Sequence, residues 1–267
     1  MSDTAEIERA EDDSLARKDV GWTHGPFGGA LREGLGRVVL SPLMNFYTAR
    51  HITGRENLDD LEGPVIFVAN HASHMDTPAI LRALPKVWRQ RTVVAAAADY
   101  FYSSKVRATF VSVLFNTVPI ERRPGAKGST KLDHIDRMLE EGYNLLLFPE
   151  GTRRAEESGA RVRRGAAAIA AKHDAYIVPI YLEGTARAFP PGRFWFRRRG
   201  ALRRHPVTIH IGKPILPERP EESHVSITAR IAHFFESSRK SSESRRERAK
   251  ALLHRKRGDS DAQTENS

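Results

Sequence analysis

Six short apolar runs alternate along this chain with stretches of helical period, and that alternation constrains the fold more than any other feature. The runs are Pro64–Ala69, Arg91–Ala96, Val118–Ile120, Asn144–Phe148, Ile177–Tyr181 and Val207–Ile211. Each is brief and rich in β-branched or aliphatic residues, and each reads as a strand. Thr77–Leu84, Tyr100–Phe110, Lys131–Glu141, Ala166–Lys172 and Ser223–Glu236 read as the intervening and following helices. In Lys131–Glu141 the side chains of Leu132, Ile135, Met138 and Leu139 share one face, and Gly142 follows as a C-cap. Pro119 cannot donate to a ladder, which predicts an edge strand at 118–120. The expected fold is α/β: a single domain with a mostly parallel or mixed central sheet flanked by helices.

A chain of 267 residues with 40% hydrophobic content can bury one such core. Residues 1–25 read as a disordered acidic tail, with seven acids against three basic residues up to Asp19. Residues 26–53 read as an amphipathic, membrane-proximal helical segment, with Leu31, Leu35, Val38, Val39, Leu43, Phe46 and Tyr47 near helical spacing. Pro42 is expected to break or kink it, and its apolar face fits either the core or a membrane interface. The main domain is expected over 54–236, and 237–267 as a basic disordered tail.

The absence of cysteine excludes disulfides, thiolate metal sites and a cysteine nucleophile. No stretch approaches 18 uninterrupted apolar residues and the N-terminus is acidic, so neither a spanning helix nor a signal peptide is expected. A net charge of +10 points to an anionic partner: nucleic acid, a membrane surface or a phosphorylated substrate.

Asn70-His71-Ala72-Ser73-His74-Met75-Asp76 leaves the end of the first strand. In open α/β sheets that rim is where ligands bind, so a titratable histidine with a carboxylate five positions on is well placed for acid/base chemistry. Other readings remain open from the residues alone. Ser73 and Asp76 fit a capping box, Asp76-Thr77-Pro78 fits a helix start, and His71 on its own could be an ordinary strand-end histidine. His71, His74 and Asp76 could ligate a metal, but further ligands at close spacing are missing and no metal is expected.

Phe148-Pro149-Glu150-Gly151-Thr152-Arg153-Arg154 leaves another strand end. Gly151 permits a sharp turn on which Glu150, Arg153 and backbone N–H groups can converge, and arginine suits bidentate phosphate recognition. Arg122 and Arg123 follow the strand at Val118–Ile120, and Arg163-Arg164-Gly165 opens an alanine-rich helix. Each pair alone would be unremarkable as a solvated turn.

Together, Asn-His-x-Ser-x-x-Asp at 70–76 and Phe-Pro-Glu-Gly-Thr-Arg at 148–153 resemble the glycerolipid acyltransferase family that includes 1-acylglycerol-3-phosphate acyltransferases. Val118–Arg122, Arg163–Gly165 and Ile177–Ile180 are similar to its further blocks, and the resemblance covers roughly Gly54 to Ile215. Asn116 stands where the family commonly has glycine and Glu121 where aspartate is frequent, departures that touch acceptor-pocket shape. The resemblance implies transfer of a fatty acyl group from a thioester, acyl-CoA or acyl carrier protein, to the hydroxyl of a phosphorylated glycerol or lysolipid, most directly 1-acyl-sn-glycerol 3-phosphate. His71 would be the general base and Asp76 its orienting partner. Ser73 reads as a local cap rather than a nucleophile. Arg122 and Arg153 would hold the phosphate, with Arg164 a further candidate; Glu150 would position the glycerol, and Gly151 and Thr152 would shape the turn. No cofactor is implied.

Pro190–Arg204 holds six arginines and no acids around Phe194, Trp195 and Phe196, a composition suited to an anionic membrane surface. The expected location is cytoplasmic, peripheral on the inner face of the cell membrane. Two rivals remain: a hydrolase using His71 and Asp76 on the same acyl substrates, or transfer to another lysolipid acceptor. A nucleic-acid-binding role would leave the His71 and Glu150 stretches unexplained, and nucleic acid is not an expected partner.

Overall fold

A seven-stranded mixed sheet organises the chain. The structure, a computed structural model, describes residues 25–97, 114–120, 130–150, 162–193, 195–200, 203–216 and 224–264. In chain order these form α1 (Pro26–Leu35), a π-helical turn (Gly36–Leu40), α2 (Ser41–Tyr47), β1 (Thr48–Thr53), a 3-10 turn (Arg55–Leu58), β2 (Val65–Ala69), α3 (Asp76–Ala83) and α4 (Lys86–Gln90). There follow β3 (Thr92–Ala97), β4 (Thr117–Ile120), α5 (Thr130–Glu140), β5 (Asn144–Leu147), α6 (Gly165–His173), β6 (Tyr176–Glu183), α7 (Thr185–Ala188), β7 (His205–Ile211) and α8 (His224–Thr264).

The strand order is β1-β7-β6-β2-β5-β3-β4. From β6 to β4 all neighbours are parallel, whereas β7 is antiparallel to β6 and carries β1 parallel to itself. Five strands therefore end on one rim. The central strand β2 is buried at every position, as a strand covered on both faces must be. Its alternate residues feed two cores: Val65, Phe67 and Ala69 pack with Met44, Ala79 and Ile80, while Ile66 and Val68 pack with Ala166, Ala170, Ile227 and Ile231. The small side chains of α6 let it lie close to the sheet.

The predicted strands and helices within the described residues are present, with boundaries moved by a residue or two except at the end of α8. Pro119 lies in the outermost strand β4, as its missing N–H requires. Gly142, with φ +77°, ends α5 in the left-handed conformation. Tyr100–Phe110 and residues 1–24 lie outside the described residues.

Three expectations are corrected. The segment expected to be helical over 26–53 becomes strand β1 at Thr48, an edge strand whose polar sequence, Thr-Ala-Arg-His-Ile-Thr, lacks apolar alternation. Pro42, expected to break or kink the segment, sits in the first turn of α2 directly after the π-helical turn, in which the Ser41 N–H bonds the Gly36 carbonyl five residues back. Where a disordered basic tail was expected from residue 237, α8 continues to Thr264. This half lacks an apolar stripe because polar contacts hold it: Arg239 pairs with Glu236 at 2.8 Å and Glu243 at 2.7 Å, and Arg246 pairs with Glu183 at the end of β6.

Candidate active site

The loop after β2 is fixed at both ends by its own side chains. Asn70 exchanges two hydrogen bonds with the Leu182 backbone, Nδ2 donating to the carbonyl at 2.9 Å and Oδ1 accepting the N–H at 2.7 Å. This fastens the end of β2 to β6 beyond the last strand pair. At the start of α3, Oδ2 of the fully buried Asp76 accepts the N–H groups of Ala72 and Ser73, both at 2.7 Å. Ser73 Oγ in turn accepts the Met75 N–H at 3.1 Å. Only half of the capping box forms: Asp76 reaches back to the Ser73 N–H, but Ser73 Oγ takes the N–H of Met75 rather than that of Asp76, which bonds the Ser73 carbonyl instead.

The same Asp76 oxygen lies 2.9 Å from His71 Nδ1. A carboxylate at Nδ1 makes that nitrogen the proton-bearing one in the neutral ring, so the lone pair sits on Nε2. The imidazole stacks on Phe148 with centroids 4.1 Å apart and planes inclined by 26°. Its side chain is 16% exposed, enough for a ligand to reach it. The arrangement can accept a proton at Nε2 while a buried carboxylate steadies the resulting imidazolium.

Adjacency in the sheet produces the stack. β2 and β5 are hydrogen-bonded neighbours in parallel register, Phe67 opposite Leu146 and Val68 opposite Leu147, so both motifs leave the same rim side by side. Glu150 is buried at this rim, and the Arg163 N–H bonds the Pro149 carbonyl at 3.2 Å, tying the turn to the start of α6. Arg164 is exposed at that helix's N-terminus. Arg122, Gly151, Thr152 and Arg153 lie outside the described residues. The structure therefore brings together His71, Asp76, Phe148 and Glu150 at one rim. Among the described residues no group of three or more His, Cys, Asp or Glu could hold a metal ion.

Ser73 is spoken for. Its Oγ donates to the Phe189 carbonyl at 2.7 Å and the side chain is fully buried. Phe189 arrives there because Gly184, with φ +91°, turns the chain out of β6 into α7; a Cβ at that glycine would lie 2.2 Å from the Pro206 carbonyl oxygen. Asn70, Phe148 and Phe189 also shape this rim. Asn70 and Phe148 lie within the two motifs and had a local signal, a polar residue and an aromatic at strand ends. Phe189 had none, because only tertiary folding brings residue 189 beside residue 73.

Asn116 bears on a different place from the acceptor pocket. It holds φ +55°, buried, at the amino end of β4 and hence opposite the His71 rim. Its Nδ2 donates to Thr92 O at 3.2 Å and its Oδ1 accepts from Arg32 of α1 at 3.1 Å. Burial pushes the Arg32 guanidinium down to about 10. Glycine at this position would take the left-handed backbone conformation freely but could not hold α1.

Comparison with known proteins bears on the same residues. A profile of the family described as Acyltransferase matches residues 49–183, just over half of the 267 residues. The chain is 32% identical over 170 residues to a 1-acyl-sn-glycerol-3-phosphate acyltransferase of Chlamydomonas reinhardtii, covering 63% of this chain and 47% of that protein. It is 27% identical over 171 residues to the chloroplastic 1-acyl-sn-glycerol-3-phosphate acyltransferase LPAT1 of Arabidopsis thaliana, covering 62% and 43%. The chain thus spans about half the length of these curated relatives. In fold it is similar to the crystal structure of the 1-acyl-sn-glycerophosphate acyltransferase PlsC from Thermotoga maritima, with a TM-score of 0.57 and 20% identity over 88% of this chain and 97% of that one.

Proposed function

This chain belongs to the acyltransferase family, and from that premise we propose that it transfers a fatty acyl group from an acyl thioester to the free hydroxyl of 1-acyl-sn-glycerol 3-phosphate, giving phosphatidic acid. The observation that carries this reading is the 2.9 Å contact between His71 Nδ1 and Asp76 Oδ2 at a sheet rim shared with Glu150. The two relatives compared above, both 1-acyl-sn-glycerol-3-phosphate acyltransferases, support the choice of acceptor.

In the proposed reaction His71 Nε2 takes the hydroxyl proton as the acceptor oxygen attacks the thioester carbonyl carbon. The tetrahedral intermediate collapses, the C–S bond breaks, and the imidazolium returns the proton to the departing thiolate. A base in this position supplies about 10²–10⁴-fold. Asp76 holds the ring in the required tautomer and stabilises its cation without taking the proton. Attack is direct, within a complex of both substrates, because the Ser73 hydroxyl already donates to Phe189. By family resemblance Arg122 and Arg153 hold the acceptor's phosphate, with Arg164 as a further contact. Glu150 positions the glycerol, and Gly151 and Thr152 shape the turn.

The donor is acyl-CoA or acyl carrier protein, and the enzyme works at a membrane surface, peripheral on its cytoplasmic side. No helix among the described residues is long and apolar enough to cross a bilayer. The test is to incubate purified protein with each labelled acyl donor and a panel of lysolipid and glycerol-phosphate acceptors, then to identify products by mass spectrometry. Labelled phosphatidic acid formed only with 1-acyl-sn-glycerol 3-phosphate is expected. Release of free fatty acid independent of any acceptor would replace the reading with a hydrolase.

A further inference from the structure

The inward stripe of α8 changes character along its length. Ile227, Ile231 and Phe235 pack into the core that Ile66 and Val68 share. At the same helical spacing the stripe then turns polar, with Ser242 buried and Arg246 partly buried one turn further on. Arg246 arrives over the carboxyl end of β6, where its guanidinium pairs with Glu183. The Glu183 side chain is only 8% exposed, and its Oε1 also meets the Arg187 guanidinium at 3.2 Å. A carboxylate this buried needs a cation, and it has two that differ in what they can hold. Arg187 stands four residues on in the same segment and moves with it. Arg246 belongs to α8, so it alone of the two ties Glu183 to a separate element.

Glu183 lies inside the segment that clasps the His71 loop. One residue before it, the Leu182 backbone exchanges hydrogen bonds of 2.9 and 2.7 Å with Asn70. One residue after it, Gly184 turns the chain into α7, and at Phe189 the carbonyl takes the Ser73 hydroxyl at 2.7 Å. Ladder pairing between β6 and β2 stops earlier, at Ile180 opposite Ala69, and past that point the Asn70 side chain takes over the joining of the two strands. The end of β6 is therefore the place from which both ends of the catalytic loop are held.

We propose that Arg246 is a positioning residue for this rim: by holding Glu183 it fixes the segment 182–189, and through Asn70 and Ser73 that segment fixes the loop presenting His71 to substrate. An aliphatic side chain in its place would fasten α8 with no charge to desolvate. The ion pair adds a fixed direction, and it does so at the one strand end whose backbone holds Asn70. The outer half of α8, which touches no substrate, thereby sets how firmly the general base is aimed. The effect on turnover rests on the proposed transferase reading, whereas the ordering of the loop does not.

Hydrogen exchange read by mass spectrometry on the full chain measures this ordering without turnover. In Arg246→Gln the Arg187 charge still faces Glu183, so the fold should be kept. The amides of 70–76 and 182–189 should exchange on the order of tenfold faster than in the wild type, and those of β3 and β5 at the wild-type rate. The kcat for acyl transfer should fall on the order of tenfold with the KM for each substrate unchanged, and Arg246→Lys should recover most of it. Arg239→Gln, which removes partners that lie on α8 itself, Glu236 and Glu243, should alter neither reading. Glu183→Gln cuts the same tether from its other end and should loosen the same two stretches, which decides the matter if Arg246→Gln folds poorly. Unchanged exchange in 70–76, an equal rise in Arg239→Gln, or a rise spread evenly over the sheet would overturn the proposal. A wild-type chain that transfers no acyl group, while the loop still loosens in Arg246→Gln, would refute the transferase reading and leave the positioning role standing.

Discussion

Oδ2 of Asp76 lies 2.9 Å from Nδ1 of His71 and at the same time accepts the N–H groups of Ala72 and Ser73. One buried oxygen thus orients the ring and closes the turn that presents it. Closing the turn and orienting the ring for the proposed base catalysis, which look like competing readings of Asp76 in the sequence, are here served by the same contact network.

This double duty separates two substitutions. His71→Ala should lower the transfer rate by about 10²–10⁴-fold and cost less stability than Asp76→Ala, because it gives up the stack on Phe148 and one hydrogen bond but leaves both backbone donors on Asp76. Asp76→Ala should lower activity similarly and also destabilise the fold by about 2–4 kcal/mol, since two backbone donors lose their acceptor. Initial rates and thermal melts on both variants check this. A fully active His71→Ala protein would end the proposed mechanism.

Ser73→Ala should retain most of its activity and lose about 1–3 kcal/mol of stability, because the Phe189 carbonyl and the Met75 N–H lose their partner. Acylated protein trapped with labelled donor in the wild type and absent from this variant would instead make Ser73 a nucleophile. Intact-protein mass spectrometry in the absence of acceptor distinguishes the two.

At Asn116 the backbone, as well as the side chain, matters. Asn116→Ala should cost about 1–2 kcal/mol more than Asn116→Gly, because both lose the bonds to Arg32 and Thr92 but only alanine is strained at φ +55°. Equilibrium urea unfolding of the two variants measures the difference. Equal losses would contradict it.

Two histidines set a response to acid. Burial lowers the pKa of His205, with the Arg199, Arg187 and Arg197 charges adding to the effect; burial likewise lowers that of His210, with Arg245 adding. Below the ordinary histidine value of 6.5 the unfolded chain then binds protons that the folded chain refuses. Stability should be full above that value and fall as the pH drops through it toward the lowered folded values. Glu33 and Asp136 respond later. Burial pushes both up, but Arg89 and Arg82 around Glu33, and Lys172 and His173 around Asp136, outweigh it and hold them below 4.5 and 3.8. Melting temperature followed over a pH series should fall in this order, and replacing both histidines with Asn should flatten the first fall.

Much of this protein was legible in its order of residues. The apolar runs specified the buried strands because a strand covered on both faces has no polar position to spare, as β2 shows at all five residues. The His71 and Glu150 stretches were legible because helix capping and sharp turns are local demands, met by residues a few positions apart. The edge strand β1 and the outer half of α8 were not, since partners remote in sequence hold them: β7 for the one, Glu183 for Arg246 in the other. Tertiary structure alone decided that β5 lies next to β2, which sets Phe148 against His71, and that Phe189 returns to take the Ser73 hydroxyl. The reason is physical: periodicity and capping act over a few residues, whereas strand order is chosen by how seven strands and their helices together bury the apolar side chains on both faces of the sheet, and no short stretch contains that choice.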